Sequence, residues 1–209
     1  MRKWIPFILI AVTAAFTLSV FDQLPERVVT HWGADGPNGW STREFAAWFG
    51  PALAAFLWTV MSLIPRIDPR RANYDKFQGS YDNLVLLIVA FACAIHVAVL
   101  GFALGWPIDV ERIVPLLVGI LFLYLGWMLP RAQSNFFVGI RTPWTLSSDE
   151  VWQKTHRLAG GLFVVTGLMV MSLAVIRGRP AVYAVIIAAG FLALIPIPYS
   201  YFAWRSRKS

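Results

Sequence analysis

The chain has 209 residues, 58% of them hydrophobic and only 14% charged, with a net charge of +7 and a mean hydropathy of +0.63. Soluble domains carry about 25% charged and about 45–50% apolar residues, so an ordinary soluble domain is excluded. Ten Trp and thirteen Pro suit a membrane protein with aromatic belts and interrupted helices.

A hydrocarbon core about 30 Å thick needs about 20 apolar residues in a helix. Six segments approach that length: 4–21, 46–64, 84–106, 113–129, 158–176 and 181–204. They predict an all-α, polytopic membrane protein with about six transmembrane helices. Three units follow: 1–64, two spans with an outer loop; 65–83, an inner loop; and 84–209, four spans that include the inner loop 130–157.

Arg2 and Lys3 precede the first apolar run, as in a signal peptide, but no clean small-x-small cleavage site follows. The segment reads as a retained anchor. The first long loop, 22–45, contains Thr30-His31-Trp32-Gly33 and the turn signals Asp35-Gly36 and Pro37-Asn38-Gly39. Val28 to Trp32 favours an extended piece. Trp32 and Trp40 are either interfacial anchors or part of an outer recognition surface formed with Thr30 and His31. Ser41 with Glu44 reads as a capping box, with Trp40 and Phe45 as its hydrophobic staple.

In the loop 65–83, Tyr74, Phe77 and Tyr81 share one helical face, which lies on the membrane or against loop 130–157. His96 is the one ionisable residue deep in a span. It is either a neutral imidazole bonded to a neighbouring helix or a proton-sensitive gate. Cys93, the only cysteine, excludes an intramolecular disulfide and reads as a packing residue.

Residues 140–157 form a dense polar segment between apolar runs. Ser147 with Glu150 reads as a second capping box. It starts a short amphipathic helix able to lie at the inner interface before the fifth span. Arg141, Thr142, Pro143, Trp144, Trp152, His156 and Arg157 are the candidate inner docking residues. Pro196 and Pro198 should kink the last span, because neither has an N–H to donate.

With both termini inside, thirteen of the 18 basic residues face the cytoplasm. Only Arg27, Arg43, Arg112, Arg177 and Arg179 face out. That asymmetry sets the orientation, and it accounts for the basic balance without nucleic acid. No phosphate loop, His-Glu-x-x-His motif, nucleophile elbow or paired metal-ligand acids occur, so the chain reads as non-enzymatic, with no cofactor and no metal.

The run Asn135-Phe136-Phe137-Val138-Gly139-Ile140-Arg141-Thr142-Pro143-Trp144-Thr145-Leu146-Ser147, with Val151-Trp152 and Thr155-His156-Arg157, resembles the signature of the SdpI family of bacterial immunity proteins. Leu24-Pro25 with Thr30-His31-Trp32-Gly33 and Gly36 is similar to the companion N-terminal domain of that family, and Asp68-Pro69 with Asn73-Tyr74 and Phe77 to its inner loop. The chain departs from the pattern at Val29, where proline is expected, and at Gly161, where a basic residue is common.

The resemblance implies a multi-pass protein of the bacterial cytoplasmic membrane that protects against a secreted, membrane-active peptide toxin. It also implies signalling by holding a soluble transcriptional repressor at the inner face. Two further readings of the residues stand beside it. One is a membrane receptor without direct immunity; the other is a small-solute or ion transporter using His96.

Overall fold

The computed structural model describes residues 4–33, 36–176 and 179–207, with residues 179–181 as backbone only. The N-terminal pair Arg2 and Lys3, the Asp35 half of the hairpin turn signal, and Arg177 and Lys208 lie outside the described residues. So does the side chain of Arg179.

Among the described residues, the regular structure is helical apart from one hairpin. In chain order it comprises α1 (Ile5–Val20), β1 (Arg27–Gly33), β2 (Gly36–Thr42), α2 (Arg43–Ile67), α3 (Gln78–Ala103) and α4 (Val110–Met128). After these come α5 (Pro143–Leu146), α6 (Asp149–Ser172), α7 (Arg179–Leu194) and α8 (Pro196–Arg205). Short 3-10 turns occupy Phe21–Gln23, Arg71–Lys76 and Leu129–Arg131. Among the described residues, five segments are long and apolar enough to cross a membrane: Ile5–Gln23, Arg43–Ile67, Gln78–Ala103, Val110–Arg131 and Val182–Arg205. The chain is a polytopic membrane protein.

The remaining expected span, 158–176, is the apolar part of α6, which ends at Ser172. From Leu158 that part rises about 22 Å at 1.5 Å per residue, short of the hydrocarbon thickness. It is packed between α4, α7 and α8. Two pairs of glycines set its approach to α4. A Cβ at Gly126 would lie 2.7 Å from the Gly160 carbonyl, and one at Gly119 would lie 2.8 Å from the Gly167 carbonyl. Small residues let helix backbones come this close where lipid supplies no hydrophobic drive.

The helices α1, α2 and α3 form the other packed group, and α3 joins it to α4. His96 of α3 sits inside this group, with its Nε2 2.8 Å from the Thr17 hydroxyl of α1. Gly50 of α2 leaves the space its ring fills. Of the two readings, the position of His96 matches an imidazole bonded to a neighbouring helix.

The hairpin pairs antiparallel from Arg27↔Thr42 to Gly33↔Gly36, with irregularities on either side of His31. Leu24 and Val28, each 1% exposed, seal it to the bundle. Leu24 packs with Val20, Ala47 and Leu100.

Three local expectations are corrected. The cap of α2 is Thr42, whose hydroxyl accepts from the Phe45 N–H, rather than Ser41. Phe45 stacks on Phe49 at 4.9 Å, while Trp40 is exposed. The cap of α6 is Ser148 rather than Ser147, and Glu150 turns to Lys154 and Arg207 instead of reaching back. Finally, the amphipathic helix is not a separate piece lying flat. It is the first two turns of α6, and Val151, Trp152, Thr155 and His156 are fully buried. The last span breaks at Ile195, where Pro196 opens α8, as its missing N–H requires.

Candidate functional site

Polar chemistry concentrates in residues 132–148, between α4 and α6. An irregular buried segment must satisfy its backbone groups with side chains. Asn135, with no exposed surface, does much of this. Its Oδ1 accepts from the N–H groups of Phe137 and Val138, at 3.0 and 2.6 Å. Its Nδ2 donates to the carbonyls of Gln133 and Val138, at 2.8 and 3.0 Å.

Asp68, at the C-cap of α2 and 2% exposed, lies alongside. Its carboxyl accepts from the N–H groups of Arg70 (2.7 Å) and Phe136 (2.9 Å). The Tyr74 hydroxyl donates between Asp68 (3.1 Å) and Asn135 (3.3 Å). Burial, reinforced by the Asp68 carboxyl, pushes this phenol well above the ordinary tyrosine range. The Arg70 guanidinium donates to the Leu146 carbonyl at 2.8 Å and to the Ser134 hydroxyl, and lies 5.1 Å from the Phe136 ring. The Asn73 amide donates to the Ser134 carbonyl at 2.7 Å. The aromatic face of Tyr74, Phe77 and Tyr81 therefore serves the loop 132–148 and its own core, with all three rings buried.

His156 closes the node from α6. Its Nε2 accepts from the Ile140 N–H at 2.9 Å, so Nδ1 carries the proton and donates to the Trp152 carbonyl at 2.8 Å. Burial lowers its pKa to about 4. Its ring stacks on Trp152 at 4.0 Å, and the Trp152 indole N–H donates to the Ala132 carbonyl at 2.8 Å. Gly139 adopts φ +114° directly over the His156 ring, where a Cβ would collide. Thr142 caps α5 and touches the Ser200 hydroxyl of α8 at 3.0 Å.

The predicted docking set therefore divides. Trp152, His156 and Thr142 are internal supports. Arg141, Pro143 and Arg157 are exposed, and Trp144 is half-buried against Tyr201 at 5.1 Å. Arg141 donates to the Phe136 carbonyl at 2.8 Å. Beside it opens an apolar cavity of about 710 Å³, lined by Trp144, Phe122, Phe163, Leu192 and Pro196 among others. Sequence reasoning did not single out Asp68, Arg70, Tyr74 and Asn135 as site residues. The signals were the Asp68-Pro69 and Asn73-Tyr74 pairs, the aromatic face that carries Tyr74, and Asn135 at the head of the signature run.

The hairpin set lies at the other end of α3, about 39 Å away for a helix of 26 residues. Thr30 meets Ser41 across the hairpin at 3.1 Å, and His31 Nδ1 meets Asn38. Trp32 is half-buried, with its ring 5.4 Å from Phe102, while half of Trp40 is exposed. The two predicted sets are not brought together, and His96 lies between them.

Residues 131–200 match the SdpI/YfhL protein family, and residues 8–55 match a domain of unknown function, DUF1648. The immunity protein SdpI of Bacillus subtilis (strain 168) is 23% identical over 194 residues, covering 93% of this chain and 91% of that protein. Residues 131–200 are thus similar to the SdpI/YfhL family, and nearly the whole chain is similar to one immunity protein. No solved structure matches it. The family-matched residues supply the loop node, α6 and α8 down to Ser200. Asp68, Arg70 and Tyr74, which complete the node, come from outside that stretch.

Proposed function

We propose that this protein is a non-enzymatic immunity protein of the bacterial cytoplasmic membrane that protects its cell against a membrane-active peptide toxin. The observation that carries the reading is the similarity to an immunity protein along nearly the whole of both chains. In this reading the hairpin side faces out, and Trp32 and Trp40 meet the peptide at the membrane surface. The loop 132–148 faces the cytoplasm, consistent with the basic Arg66, Arg70, Arg71, Arg131, Arg141 and Arg157 on that side.

A second role is favoured by one feature. Arg141 and Trp144 stand on a loop anchored by buried side chains, which suits the docking of a soluble repressor at the inner face. A rigid support loses less entropy on binding than a mobile one.

The test is membrane potential in sensitive cells making this protein and challenged with an SDP-type peptide toxin. Preserved potential, lost on Trp32→Ala with expression unchanged, is expected. Collapse as fast as in cells carrying an empty vector would remove protection against that toxin. Co-purification of a soluble regulator, lost on Arg141→Ala, would assign the signalling role.

A further inference from the structure

On the loop side, α1, α2 and α3 line a second cavity of about 750 Å³, open to the surface, which Tyr74 of the node also lines and which residues 131–157 do not touch. It lies where the spanning helices end. Arg66 belongs to the last turn of α2, Asp82 to the start of α3, and Arg71 and Asp75 to the 3-10 turn between them. Its inner wall is apolar, formed by Trp58 and Val85. The Trp58 ring continues to Phe7 on the lipid-facing surface of α1, at 5.9 Å.

Two cations and two anions thus line one cavity. Among the described residues, none of the four side chains makes a hydrogen bond or an ion pair, with each other or with any neighbour. A ligand that matches them carries both charges and an apolar tail. We infer that this cavity binds an aminophospholipid, with its phosphate at Arg66 and Arg71, its primary ammonium at Asp75 and Asp82, and its acyl chain along Trp58 and Phe7.

The chemistry discriminates among membrane lipids. A phosphatidylglycerol headgroup has no cation for the two carboxylates. A choline headgroup has the charge but no N–H to donate. Basic sites at the ends of membrane helices bind lipid headgroups, and the two acids here shift that preference toward a zwitterion. The inference rests on the membrane fold alone and is independent of any role in immunity.

The test uses the full chain in vesicles of phosphatidylcholine doped with phosphatidylethanolamine or phosphatidylglycerol. The lipid retained after extraction is read by native mass spectrometry. Phosphatidylethanolamine should be enriched over both others. Asp75→Asn with Asp82→Asn should abolish its preference over phosphatidylcholine, and each single change should weaken it by about two- to fivefold, the range of an exposed ion pair. Arg66→Gln with Arg71→Gln should weaken retention of all three lipids. Soluble phosphoethanolamine should compete poorly, since it lacks the chain. Equal retention of the three lipids by the unaltered chain would overturn the inference. So would a preference for phosphatidylglycerol, which marks a plain basic patch, or competition by soluble phosphoethanolamine as strong as by the lipid.

Discussion

Gly139 and His156 occupy one another's space: the glycine backbone, at φ +114°, lies against the imidazole so closely that no side chain fits between them. The contact lets His156 reach the Ile140 N–H and hold residues 138–142 to α6. Gly139→Ala combines a left-handed backbone, which costs about 1–2 kcal/mol, with a collision. The expected result is a clear drop in melting temperature in detergent, with the loop 132–148 opened to protease. An unchanged melting temperature would refute the tight contact.

Acid should loosen the same contact. The folded pKa of His156 is about 4, below the ordinary value of 6.5, so the unfolded chain binds a proton first as pH falls. The neutral ring's contribution is intact above pH 6.5 and is lost progressively from there down to about pH 4. At full loss the shift corresponds to roughly 3 kcal/mol as an upper bound. Melting curves across this window should show a slope that is reduced in His156→Gln. A slope equal in both chains would assign the acid sensitivity to other groups.

Asp68 and Phe136 join two loops that are far apart in sequence. Asp68→Ala leaves the N–H groups of Arg70 and Phe136 without their acceptor and removes one of the two acceptors of the Tyr74 hydroxyl. Each unsatisfied buried donor costs about 1–3 kcal/mol. Hydrogen exchange should accelerate at residues 134–138 together with 68–74. Acceleration in only one of the two segments would mean that the carboxyl does not couple them.

Adjacent glycines in α6 should respond in opposite directions. Gly160→Ala drives a Cβ into the Gly126 carbonyl and Pro130, so α4 and α6 must separate. Gly161 faces open space, and there alanine should gain up to about 1 kcal/mol of helix stability. Thermal unfolding of the two variants side by side decides it. Destabilisation of both would place Gly161 in a contact of its own.

Five of the six expected spans were visible because each reads as a long apolar run, and the break at Pro196 because proline lacks a donor. The strand-like reading of Val28 to Trp32 rested on β-branched and aromatic residues, and it corresponds to β1. Caps were displaced by one residue at both Thr42 and Ser148, since neighbouring hydroxyls compete for the same N–H and only backbone geometry chooses between them. The candidate site was less legible. Trp152 and His156 look like surface recognition residues in a polar run, yet both are internal.

Helix content, membrane residence and the break in the last span follow from local composition, since apolar length and missing donors act within a few residues. The tertiary structure alone decided which polar residues face each other. Asp68 meets Phe136 across 68 positions, Thr17 meets His96 across 79, and Thr142 meets Ser200 across 58. A hydrogen bond needs its two atoms within about 3 Å, a condition set by how the helices pack and not by any spacing along the chain.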